Sequence, residues 1–130
     1  MVRTKGNPWG HVVLRGGSQG PNYDKQSVEA AMLLLRRAGL DPVVMVDCSH
    51  ANANKQHERQ VAVWHDLLAQ RSAGNQHLVG MMVESHLEAG TQALPEDRSQ
   101  LRYGMSITDA CVGWDTTEHM LRLWGHYHSV

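Results

Sequence analysis

A chain of 130 residues with 42% hydrophobic residues, 19% charged residues and a net charge of −1 has the size and balance of one soluble globular domain. Its Lys and Arg residues are scattered rather than clustered, which argues against nucleic acid or an anionic membrane surface as the main partner. The longest apolar run is too short to span a bilayer, MVRTKGNPWG at the start has no apolar signal core, and the two cysteines form no CxxC pair, so a cytoplasmic protein is expected.

The first apolar run, HVVLRGG, is too short for a helix and reads as a buried strand. DKQSVEAAMLLLRRAGL follows, where Val28, Ala31, Met32 and Leu35 repeat at helical spacing, Asp24 offers an N-cap and Gly39 a stop. DPVVMVDCSH is a second buried strand. NKQHERQVAVWHDLLAQRSAG then predicts a second helix with Val61, Trp64 and Leu68 on one face and Gly74 past its end. HLVGMMVESH is a third buried strand.

The stretch from Leu87 to Trp114 has mixed periodicity with scattered Gly and Pro, and reads as a long functional loop carrying Asp109. A last helix, DTTEHMLRLW, is expected to start with Asp115 and Glu118 at capping-box spacing. No linker divides the chain, so residues 1–130 are read as one unit. Strands alternating with helices require a parallel sheet joined by crossovers, an α/β architecture.

Arg15, His50 and Glu84 all fall at the C-terminal end of a strand, at steps of 35 and 34 residues. In parallel α/β folds that edge is where ligands bind. His50, Glu84 and Asp109 offer one nitrogen and two carboxylates, a set suited to a divalent cation. Arg15, followed by Gly16 and Gly17, offers a guanidinium beside a backbone able to approach an anion. The plainer alternatives are a His and an acid that cap loops, and a Gly pair that makes a turn.

Other residues carry less. HERQVAVWH lacks the HExxH spacing and reads as a solvated helix face. His86 could join the site or hydrogen-bond within a loop, and the loop is favoured. His126 and His128 are expected in a frayed polar tail. Cys48 shares a strand face with His50, but a small buried residue is the better reading for it and for Cys111.

The stretches GHVVLRGG, PNYD, AGL, VMVDCSHANANKQ, GMMVESHLEAGTQ and YGMSITDACVGW, spread from about Gly6 to Leu121, resemble the class I 3-deoxy-D-arabino-heptulosonate 7-phosphate (DAHP) synthases. The resemblance covers the C-terminal part of such an enzyme. It implies the last three strand-helix units of a TIM (β/α)8 barrel. It also implies a transferase of the shikimate pathway, condensing phosphoenolpyruvate with erythrose 4-phosphate and releasing phosphate. By resemblance, His50, Glu84 and Asp109 are metal ligands for a divalent ion (Mn, Fe, Co or Zn). Arg15 and His50 contact phosphoenolpyruvate and act in catalysis, and Asp109 also faces substrate. The full-length family implies a homo-oligomer.

The chain departs from the family pattern in places. The family's cysteine ligand, in a GPCS-type motif, has no counterpart, nor do the phosphate-binding Arg and Lys residues of earlier strands. Cys48 stands where an aromatic residue is common, and GHYHSV does not follow the family's end. Three open units expose two sheet edges, so the isolated chain is expected to be unstable alone and to lack synthase activity. Two alternatives remain: another metal-dependent barrel enzyme, such as a hydrolase or aldolase, or an inactive module that docks with intact synthase subunits.

Overall fold

A computed structural model describes residues 2–127, with side chains through residue 125. The elements alternate as expected: β1 (Val12–Leu14), α1 (Lys25–Arg37), β2 (Val44–Asp47), α2 (Gln60–Ser72), β3 (Leu78–Met82) and α3 (Trp114–Tyr127). The strands form one parallel sheet in the order β1-β2-β3, with Val12 paired to Val44 and Asp47 to Met82. No helix among the described residues is long and apolar enough to cross a membrane.

Local chemistry sets the helix ends. Asp24 caps α1, its Oδ1 accepting from the Ser27 N–H at 3.0 Å and its Oδ2 from the Ser27 hydroxyl at 2.7 Å. These two bonds hold the Asp24 carboxyl below the usual carboxylate range. At the other end Gly39 turns left-handed (φ +69°), and the N–H groups of Gly39 and Leu40 close on the Arg36 and Leu35 carbonyls. The Gly74 and Asn75 N–H groups end α2 in the same way.

The core lies between the helices and one face of the sheet. Val28 and Met32 of α1, Val44 and Val46 of β2, Val63, Trp64, Leu67 and Leu68 of α2, Leu78 of β3 and Met120 of α3 form one buried cluster. Full burial of a residue such as Leu67 or Leu68 stabilises the fold by roughly 1.5–3 kcal/mol. The opposite face stays open. Val13, Val79 and Met82 remain 36%, 52% and 44% exposed, so the strands read as wholly buried are buried on one face only.

Two further expectations need correction. Asp115 and Glu118 form no capping box: α3 already begins at Trp114, which puts Asp115 inside its first turn. Glu118 instead accepts from Arg122 one turn on, at 2.6 Å. An i,i+4 ion pair competes successfully for that carboxylate. HERQVAVWH is only partly a solvated helix face, because a 3-10 turn over His57–Arg59 precedes α2 and leaves His57 half-buried. The side chain of His126, and His128 entirely, lie outside the described residues.

Candidate metal and anion site

All three sequence-predicted strand-end residues meet at one edge, and the loop delivers the fourth. His50 Nε2 lies 3.4 Å from Glu84 Oε1 and 3.7 Å from Asp109 Oδ2. One donor atom from each of the three residues falls within 4.8 Å of the others. Arg15 shares a pocket of about 340 Å³ with them, which Gly16, Lys55, His57 and Gln60 also line.

β2 and its turn orient the imidazole. His50 adopts φ 51°, an uncommon conformation for a residue with a side chain. Its Nδ1 lies 2.8 Å from Asp47 Oδ2 and 2.6 Å from the Ser49 hydroxyl. Asp47 is itself buried, and its Oδ1 accepts from the Ser49 N–H at 2.8 Å and the Ser49 hydroxyl at 2.5 Å. A carboxylate acceptor at Nδ1 selects the tautomer protonated there and leaves the Nε2 lone pair facing Glu84 and Asp109.

A second polar residue ties β1 to β2. Asn52, buried, donates from Nδ2 to the Leu14 carbonyl at 3.1 Å and to the Asp47 carbonyl at 2.8 Å. Its Oδ1 accepts from the Asn22 N–H at 2.8 Å, and Asn22 Oδ1 accepts from the Gly16 N–H at 2.7 Å. Arg15 therefore sits between two anchored positions. Gly16 is required here: its φ is +73°, and a Cβ would lie 2.6 Å from Ala51 Cβ.

Glu84 stands beyond the last sheet pair and is held from both sides. The Val112 N–H donates to its carbonyl at 2.9 Å, and the Gln60 side chain pairs with its N–H and carbonyl at 2.9 and 3.2 Å. The long loop folds back through bridges joining Ser85 to Val112, Gly90 to Cys111 and Thr91 to Ser106. That return brings Asp109 to His50. Burial pushes the Glu84 carboxyl above its ordinary range; Asp109 and Asp47 add to the rise, while His50 and Arg15 oppose it.

The secondary candidates fall as expected. His86 stays in the loop, its Nδ1 accepting from the Leu87 N–H at 2.9 Å. Cys48 is wholly buried in the core cluster, and burial, helped by Asp47, pushes its thiol up to about 12. Cys111 is also buried, with its thiol pushed up for the same first cause. Neither offers a thiolate ligand.

The donor set fits a divalent cation. Ligand atoms about 2.1 Å from a shared ion at tetrahedral angles lie about 3.4 Å apart, close to the 3.4 and 3.7 Å that separate His50 Nε2 from Glu84 and Asp109. One imidazole nitrogen with two carboxylates suits an ion of intermediate hardness.

The family model described as the DAHP synthetase I family matches residues 1–122. The chain belongs to that family. The Tyr-sensitive phospho-2-dehydro-3-deoxyheptonate aldolase of Enterobacter agglomerans is 45% identical over 122 residues, covering 94% of this chain and 57% of that protein. The Tyr-sensitive enzyme of Escherichia coli is likewise 45% identical, over 94% of this chain and 34% of its own length. Among solved structures, the phospho-2-dehydro-3-deoxyheptonate aldolase of Francisella tularensis superposes with a TM-score of 0.89 at 40% identity, covering 95% of this chain and 36% of that one. The chain thus spans roughly a third to a little over half of these DAHP synthetase relatives.

Several residues of the site escaped the sequence reading: Asp47, Ser49, Asn52, Lys55 and Gln60. A signal existed for Gln60, which shares helical phase with Trp64, Leu67 and Leu68 and so lies on the buried face of α2.

Proposed function

We propose that this chain carries the metal-binding and enol-phosphate-binding part of a DAHP synthase. The carrying observation is the convergence of His50 Nε2 with Glu84 and Asp109 at 3.4 and 3.7 Å, at the sheet edge that also bears Arg15. The reaction joins C3 of phosphoenolpyruvate to the aldehyde carbon of erythrose 4-phosphate, with addition of water and release of inorganic phosphate.

His50, Glu84 and Asp109 would hold a divalent metal, of which Mn, Fe, Co and Zn are all compatible with one nitrogen and two oxygens. When bound, the ion supplies Lewis-acid polarisation of the aldehyde oxygen or of the attacking water. Arg15 binds the anionic enol phosphate and offsets its charge, and His50 and Asp109 border the same substrate. Asp47 keeps the imidazole in the orientation that presents Nε2. In a complete enzyme the three strand ends would form part of the rim of a (β/α)8 barrel, of which the three units would be the last, a reading supported by the parallel order β1-β2-β3.

The chain alone is expected to be inactive. Among the described residues, two fixed cations, Arg15 and Lys55, line the pocket, against substrates bearing two phosphates and a carboxylate. The half-exposed Val13, Val79 and Met82 leave the inner face of the sheet unsealed. A cytoplasmic location fits the two free buried thiols. Homo-oligomeric assembly accompanies the family reading and is checked by the mass of the native species in solution.

The test is a chimera in which residues 2–122 replace the matching segment of the Escherichia coli Tyr-sensitive relative. Erythrose 4-phosphate-dependent phosphate release, abolished by His50→Ala and reduced by Arg15→Ala, is the expected result. A folded chimera without turnover, or one indifferent to His50→Ala, would contradict the assignment. Turnover by the unaided chain would contradict the expected inactivity.

A further inference from the structure

Gln60 is a neutral polar side chain with no exposed surface, on a helix face otherwise made of Val63, Trp64, Leu67 and Leu68. An amide buried among such residues is costly unless both its polar atoms are paired. Gln60 meets that demand with a single partner. Its Oε1 accepts from the Glu84 N–H at 2.9 Å, and its Nε2 donates to the Glu84 carbonyl at 3.2 Å. The amide thereby imitates a neighbouring strand.

The place of that imitation matters. Sheet pairing from β2 ends with Asp47 opposite Met82 and the Cys48 N–H on the Met82 carbonyl. Glu84 lies two residues further on, where no strand of the described residues supplies an acceptor for its N–H. Met would fill a site of this volume without any polar requirement.

We propose that Gln60 is a positioning residue: it extends the sheet by one side-chain rung, so that the Glu84 carboxylate is held beside His50 Nε2. The cation part of this inference rests on the metal-centre reading proposed above. Gln60 borders the pocket, but both its polar atoms are taken up by the Glu84 main chain, so it acts through that main chain and not as a ligand. Outer groups that orient a ligand in this way are commonly worth about 10–100-fold in metal affinity.

The experiment compares the chain with its Gln60→Met variant by amide hydrogen exchange and by Mn2+ binding followed by electron paramagnetic resonance. The expected result is faster exchange of the Glu84 N–H with an unchanged Cys48 N–H, together with Mn2+ binding weakened by about tenfold or more. A purely structural loss would speed both amides equally.

An unchanged Glu84 N–H, equal acceleration of the two, or unchanged Mn2+ affinity overturns the inference. In the unaltered chain, a scalar coupling across the hydrogen bond between the Glu84 nitrogen and the Gln60 side-chain carbonyl carbon is expected. Its absence overturns the clamp without requiring the variant to fold. Should the unaltered chain bind no Mn2+ that His50→Ala removes, the metal reading falls, and the Glu84 exchange and coupling alone decide for or against Gln60.

Discussion

Replacing Asn52 with Ala tests how the site is tied to the fold. Asn52 makes three hydrogen bonds, to the Leu14 carbonyl, the Asp47 carbonyl and the Asn22 N–H, at 3.1, 2.8 and 2.8 Å. The Asp47 contact is buried and the other two are partly buried. Leaving the buried carbonyl unpaired costs about 1–3 kcal/mol, and losing each partly buried bond about 0.5–1.5 kcal/mol, a total of roughly 2–6 kcal/mol. Complete globular domains have about 5–15 kcal/mol in all, and a chain with one sheet face open has less to lose. Equilibrium urea unfolding of the chain and of Asn52→Ala, followed by tryptophan fluorescence, measures the difference. The midpoint should fall steeply with an unchanged slope. A loss below about 1 kcal/mol would refute the view that one amide staples β1 to β2.

Three further outcomes follow from the geometry. Gly16→Ala places a Cβ 2.6 Å from Ala51 Cβ at φ +73°, so a loss of about 2–5 kcal/mol is expected from the backbone and the overlap together, read as a lowered thermal midpoint; a neutral substitution would show that the Arg15 turn does not pack on the His50 turn. Burial raises the Glu84 carboxyl, so the folded chain keeps that proton to higher pH than the unfolded one. Stability from this group is then greatest below the ordinary carboxylate range and declines as pH rises through the raised value. Without added metal, Glu84→Gln should therefore melt higher than the parent at neutral pH, with the gap closing below about pH 4; a pH-independent gap would contradict the burial argument. Finally, Cys48, with its thiol pushed up to about 12, and the buried Cys111 should both resist a thiol reagent at pH 8 until the chain unfolds, and rapid labelling of the native chain would contradict this placement.

Much of the fold was legible because it rests on local signals. The Val28 to Leu35 repeat and the Asp24 and Gly39 ends defined α1. The short Val- and Met-rich runs defined three strands, and their alternation with helices required a parallel sheet. The metal candidates were legible for the same reason, since strand ends at constant spacing must share an edge.

What was hidden depends on tertiary contact. The open face of the sheet could not be distinguished from the covered one, because Val13 and Val79 are as apolar as Val44 and Val46. Asp115 and Glu118 matched a capping pattern, but the helix starts a residue earlier and Arg122 takes the glutamate. Gln60 and Asn52 read as ordinary polar residues, although each is buried by partners more than 20 positions away in the chain. The return of the long loop rests on pairs such as Gly90 with Cys111, which have no periodic signature.

The most direct test of the central claim is the binding of Mn2+ by the chain, measured by isothermal calorimetry against His50→Ala, Glu84→Ala and Asp109→Ala, with circular dichroism confirming that each variant is folded. One ion per chain is expected, with binding abolished by His50→Ala and strongly weakened by either carboxylate change. Undiminished binding in His50→Ala, or no specific binding by the unaltered chain, would contradict it.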